Sequence, residues 1–193
     1  DKLFISMKEY DSFLHDKYLF YYYNILVLNY AKTDKKKALD YLNIASESEV
    51  IKKLPSYNAF IYLNRSLIYY YENNYKESQK NIARLIMQED FLLLDKSFQL
   101  KILVTDLMIR MLVSNKNLND KITSINKNYK SLLLEENYIR EKKMIDLIFK
   151  KISDGDVVDN KEDLLSIMSD SDSEDIDIIS YNIWLKENIK WKT

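Results

Sequence analysis

The sequence predicts an all-α chain of about eight or nine helices, and three observations predict it. Glycine and proline occur once each, at Gly155 and Pro55, against average usages of roughly 7% and 5%. A sheet needs turn glycines and prolines, and an α/β enzyme needs glycine beside its ligands, so both classes are disfavoured. Apolar residues recur at three- and four-residue spacing along the whole chain, the period of a helix. The stretch 64–85, NRSLIYYYENNYKESQKNIARL, reads as two antiparallel helices joined by a tight Asn73-Asn74 turn.

The elements follow in order. A first helix covers about 3–14, with Leu3, Phe4, Met7, Tyr10, Phe13 and Leu14 on one side. A second runs from about Asp16 to Lys32. Thr33-Asp34 starts a third over 35–45, with Ala38, Leu39, Leu42 and Ala45 on one face. Ser46-x-x-Glu49 reads as a capping box for a short turn of helix. Pro55 ends that turn, because the residue before a proline is pushed out of the α conformation. Ser56 opens a long helix to Glu72. Asn74-x-x-Glu77 caps the next, which ends near Gln88.

The helix over about 94–113 is apolar nearly all round, from Phe98 and Leu100 to Met111 and Leu112. That is the pattern of a central helix with neighbours on several sides. After a polar turn at 114–117 comes a helix over about 118–134, with Ile122, Ile125, Tyr129 and Leu132 recurring at three and four. Another covers 138–152, with Gly155 just past its end as a terminator. The last two span about 159–168 and 174–191. The acidic, serine-rich linker SDSDSED lies between them.

Composition bounds the function. The chain is 47% hydrophobic and 31% charged, which excludes disorder as the overall reading. Its 193 residues suffice for a core without staples, and 1–193 reads as a single helical domain. There are 29 basic and 30 acidic residues, for a net charge of −1. Nucleic-acid and anionic-membrane surfaces need a basic excess, so neither is expected as a partner. No cysteine is present, which removes disulfides and thiolate metal sites. The most apolar run, 18–30, is broken by Asn24 and Asn29 and is too short to span a bilayer. No signal peptide is visible. The compartment stays open, with the cytoplasm favoured. A chain beginning at Asp1 reads as a fragment, a processed chain or the ordered part of a longer one.

A repeat is visible. Ala38 and Ala45 stand seven apart as the small positions of one second helix, and Ser78 and Leu85 stand seven apart in the next. The two pairs are offset by 40 residues, longer than the roughly 34 of a strict tetratricopeptide array. A short inserted helix at 48–54 accounts for the excess. Asn64-Arg65-Ser66, Tyr69, the Asn73-Asn74 turn, Tyr75 and Ser78 together resemble the tetratricopeptide family. In that pattern Ser66 lets paired helices approach and Tyr75 plugs between them. The chain departs from it beyond Asn115, where Leu118 replaces the tyrosine and Lys121 the small residue. Phe98-Gln99-Leu100-Lys101, Tyr129-Lys130 and Trp184-Leu185 are similar to a run in bacterial tetratricopeptide-like proteins.

The resemblance implies a right-handed α-α superhelix of helical hairpins, with repeat-like units at about 16–46, 56–88 and 94–134 and C-terminal helices over 138–191. It implies a concave groove lined by the first helix of each unit: Phe20, Tyr23, Val27 and Tyr30, then Phe60, Leu63, Leu67, Tyr70 and Tyr71. The function it implies is non-catalytic, a scaffold or adaptor that holds a protein or peptide partner. Tyr23, Val27, Tyr30, Leu63, Leu67, Tyr70 and Tyr71 are the expected partner-binding residues. Two alternatives stand beside this. A further helix of the same chain fills the groove, or the stack is a regulatory domain sensing a peptide or small ligand. The carboxylate clamp of chaperone-binding members needs lysine and asparagine where this chain has Tyr23 and Val27, so it is rejected.

No residue set points to catalysis, a metal or a cofactor. His15 is the only histidine, too few for a histidine metal site, and reads as a surface or capping residue at a helix junction. The pairs Glu135-Glu136 and Asp175/Asp177 read as solvated faces. Asp170, Asp172 and Glu174 have the spacing of a calcium loop, but Asp175 stands where its glycine belongs and Tyr181 where its terminal glutamate belongs. A capped linker, Ser171-x-x-Glu174, explains them better.

Overall fold

The computed structural model describes residues 12–114, 116–154, 167 and 177–189. Most of the first expected helix, all but residue 167 of the helix over 159–168, Gly155, Trp191 and the linker residues Asp170 to Asp175 lie outside the described residues. Nine α-helices, three short 3-10 turns and no strand occur among the described residues, in agreement with the all-α expectation. They group into two compact units, Asp1–Leu93 and Leu94–Thr193.

The first unit holds α1 (Ser12–Ala31), α2 (Lys35–Glu47), α3 (Glu49–Lys52), α4 (Tyr57–Tyr71) and α5 (Tyr75–Ile86), followed by a 3-10 turn at Glu89–Leu93. Helix α1 already begins at Ser12, so the boundary expected at residues 14–16 is absent. His15 lies inside the helix rather than at a junction.

Two short turns close the hairpins α1–α2 and α4–α5. Asp34 accepts from the Lys37 amide at 3.0 Å, and Asn74 from the Glu77 amide at 3.4 Å. Each satisfies a first-turn N–H that has no intrahelical partner. Asn73 takes the left-handed conformation, φ 59°, which asparagine tolerates because its side chain bonds locally. The capping box expected at Ser46 is corrected. Helix α2 continues to Glu47, and the Ser46 hydroxyl donates back to the Asn43 carbonyl. Ser48 is the cap of α3, accepting from the Ile51 amide.

Val27 and Ala31 of α1, Ala38, Leu42 and Ala45 of α2, Ile51 of α3, and Phe60, Ile61 and Ile68 of α4 form one buried cluster. Positions forty apart meet across it. Asn64 donates to the Asn24 side chain at 3.3 Å, and the Phe20 and Phe60 rings sit edge to face at 4.9 Å. Helices α1 and α4 therefore lie side by side, pointing the same way. Asn64, itself buried, gives its other amide hydrogen to the Phe60 carbonyl at 2.9 Å, so it is satisfied inside an apolar layer.

The second unit holds α6 (Lys96–Val113), α7 (Leu118–Asn128), 3-10 turns at Leu132–Leu134 and Glu136–Tyr138, α8 (Ile139–Asp154) and α9 (Tyr181–Asn188). Asp95 caps α6. It accepts from the Ser97 hydroxyl and from the Ser97 and Phe98 amides, and these bonds, the hydroxyl's first, hold its carboxyl below the ordinary value. Helix α6 is buried over most of its circumference, as its apolar surround predicts.

The single helix expected over 118–134 is corrected: it stops at Asn128. The Tyr129 side chain turns into the core, where its hydroxyl donates to Gln99 Oε1 at 2.7 Å. The 3-10 turn that follows buries Leu133. Helix α9 starts at Tyr181 rather than at 174, with Ser180 as its cap.

Asp177, expected on a solvated face, is bound instead. Arg140 at the start of α8 grips both its oxygens at 3.1 Å. Lys151 near the end of α8 donates to the Asn188 carbonyl at 2.6 Å. The start of α8 thus meets the start of α9, and the ends meet likewise, so the two helices run parallel. This pair is not a hairpin.

Candidate partner-binding face

Helix α1 carries apolar residues on every side, and the structure shows which side is packed. Tyr30 stacks on Tyr41 of α2 at 5.7 Å, under the Lys37 ammonium at 4.7 Å. Tyr23 packs against the same cluster. Burial, and then the phenols of Tyr22 and Tyr41, push its hydroxyl above the ordinary tyrosine value. Val27 is 0% exposed. These residues face inward.

The opposite side is open. Tyr18, Tyr21, Ile25 and Leu28 are 48%, 46%, 57% and 45% exposed. At about 100° per residue their steps of three, four and three keep them within about 80° of arc, and the row is about 15 Å long. Four large apolar side chains in one row form a continuous patch, unlike the scattered exposed leucines of ordinary surfaces. Ile44 of α2, half exposed, is such an isolated residue.

The row has defined borders. Along one edge, Asn24 ties α1 to Asn64 of α4. At its ends stand two exposed lysines. The Lys17 ammonium lies 5.9 Å over the Tyr21 ring, and the Lys32 ammonium 5.4 Å over the Tyr71 ring. Both contacts are cation–π in character and hold the charge at the edge of the apolar strip. The sequence places no carboxylate on this side of α1 between them.

The residues expected to line a groove stand elsewhere. Val27, Leu67 and Tyr70 are buried, while Tyr23, Tyr30, Leu63 and Tyr71 are half-buried. None of the seven is among the exposed large apolar residues. The expectation of an open wall made by Val27, Leu67 and Tyr70 is therefore corrected: they pack. Tyr71 alone borders the open row, through Lys32. Sequence reasoning missed Tyr18, Tyr21, Ile25 and Leu28. Their three-four-three spacing was a readable signal, but α1 offers an equally good spacing on its other side.

The remaining polar clusters of the described residues are internal ties. Asp106, 1% exposed at its side chain, takes Arg110 at 2.8 Å and Lys121 of α7 at 2.9 Å. Burial pushes the Tyr181 hydroxyl well above its ordinary value, with the Glu141 and Asp177 carboxylates adding to the effect and Arg140 opposing it. Among the described residues, no group of three histidines or carboxylates could hold a metal ion, and no helix is long and apolar enough to cross a membrane. Comparison with protein-family models, with curated proteins and with solved structures finds no match to this chain.

Proposed function

We propose that this chain is a non-catalytic protein–protein interaction module, a tetratricopeptide-like scaffold or adaptor that docks its partner on the open side of α1. The observation that carries the reading is the exposed row Tyr18, Tyr21, Ile25 and Leu28 on a helix whose other side is packed. Tyrosine and isoleucine bring large contact area at modest entropic cost, which suits a recognition surface. The tetratricopeptide-like part of the reading is supported by the forty-residue recurrence of caps and contacts: Asp34 with Asn74, Asn24 with Asn64, and Phe20 with Phe60.

The test is affinity capture with the wild-type chain, Ile25→Glu and Ile44→Glu as baits, each confirmed folded by circular dichroism. A partner held by wild type and Ile44→Glu but lost by Ile25→Glu supports the reading. A partner retained by Ile25→Glu, or lost equally by both variants, refutes it.

A further inference from the structure

The forty-residue correspondence says what kind of surface the open row is. Tyr21, Ile25 and Leu28 of α1 correspond to Ile61, Arg65 and Ile68 of α4. In α4 that side is covered. Ile61 and Ile68 are 4% and 0% exposed, inside the cluster built with Val27, Ala31, Ala38, Leu42 and Ala45 of the preceding hairpin. Arg65 reaches Asn43 of α2 at 3.5 Å. The side of α4 that receives a preceding helix is thus the side that α1 leaves open.

We propose that the open row is a helix-receiving face, and that its occupant is an amphipathic helix of another protein. That helix would present aliphatic residues at four- and three-residue spacing and carboxylates near its ends. This rests on the protein-binding reading above and adds the partner's chemistry. The aliphatic seam follows from what covers the equivalent side of α4: Ala38, Leu42 and Ala45, spaced four and three. The acidic ends follow from Lys17 and Lys32, which bracket the row with no carboxylate between them. A second copy of this chain fits poorly. Two such faces would bring four lysines together with no carboxylate along either row between them, and like charges across an interface oppose association.

The test uses the full chain and three synthetic peptides of about 20 residues, long enough to hold a helix in water. The first carries a Leu/Ala seam at four-three spacing and glutamates at both ends. The second has lysines in place of the glutamates. The third keeps the glutamates but has serine along the seam. Titration calorimetry should show the glutamate peptide binding at least about tenfold more tightly than either control, a preference that shrinks with added salt. Ile25→Glu should abolish binding, and the double variant Lys17→Glu, Lys32→Glu should favour the lysine peptide.

Absence of binding by the first peptide overturns the proposal, as does equal binding of the glutamate and lysine peptides. So does a concentration-dependent dimer in light scattering that Ile25→Glu abolishes, since the occupant is then a second copy. If the peptides fail while Ile25→Glu still releases a captured partner, the partner chemistry is wrong and the docking face stands. If the captured partner survives Ile25→Glu, the docking face itself is wrong.

Discussion

Ser66 and Ser78 clasp each other across the α4–α5 hairpin. Their hydroxyl oxygens lie 3.0 Å apart, the Ser66 hydroxyl donates to the Ser78 carbonyl at 2.9 Å, and the Ser78 hydroxyl to the Ser66 carbonyl at 2.8 Å. Both residues are buried. The backbones come this close only because neither side chain extends beyond Cβ and a single hydroxyl oxygen, and the hydroxyls are satisfied where burial would otherwise penalise them. Ser66→Ala should lower unfolding free energy by about 1 kcal/mol, the size of a neutral hydrogen bond. Ser78→Leu should lower it by about 1–3 kcal/mol through overpacking. Urea denaturation measures both. A Ser78→Leu variant as stable as wild type would mean the helices are not clasped.

Leu67 is 7% exposed, and truncating a buried leucine removes burial and leaves a cavity. Leu67→Ala should cost about 2–5 kcal/mol. Ile25→Ala, on the open row, should stay within about 0.5 kcal/mol of wild type. Thermal melts of the two variants check the contrast. Equal melting temperatures would place both residues in the same environment, against the structure.

Asp106 is a carboxylate buried against Arg110 and Lys121, so its removal strands two cations. Asp106→Asn should destabilise by about 3 kcal/mol, and Lys121→Met by less, because Lys121 is a third exposed and solvent already screens it. Denaturant midpoints of both variants test this ordering. A larger loss from Lys121→Met would contradict it.

The alkaline limb of stability should depend on Tyr181. Its hydroxyl is raised well above the ordinary value by burial and by Glu141 and Asp177. The unfolded chain releases that proton near pH 10, while the folded chain retains it. Stability from this group is therefore fully present below about pH 10 and falls as pH rises beyond it. Tyr181→Phe should flatten the loss between about pH 10 and 11 relative to wild type. An unchanged slope would remove Tyr181 from the account.

Caps and class were legible in the sequence, and helix phase was not. Asp34 and Asn74 announce helix starts because their side chains meet specific amides one turn on, a purely local rule. Ser46 misled because Ser48, two residues later, competes for the same role, and propensity cannot rank two serines. The open face of α1 was not legible because apolar residues surround the helix. Periodicity then allows either Tyr23-Val27-Tyr30 or Tyr18-Tyr21-Ile25-Leu28 as the packed side. Only the tertiary contacts of Tyr41 and Phe60 decide between them. The helix end at Tyr129 and the setting of Asp177 were misread for a related reason. Their partners Gln99 and Arg140 lie 30 and 37 residues away, beyond any local pattern.

The central claim is that recognition occurs on the Ile25 side of α1. Site-specific photo-crosslinking tests it most directly, with a benzophenone side chain at position 25, at position 44 as an isolated exposed control, or at position 27 inside the core. A covalent partner adduct is expected from position 25 and none from position 44, with the position-27 variant losing stability. Adducts of equal yield from positions 25 and 44, or an adduct from 44 alone, would contradict it.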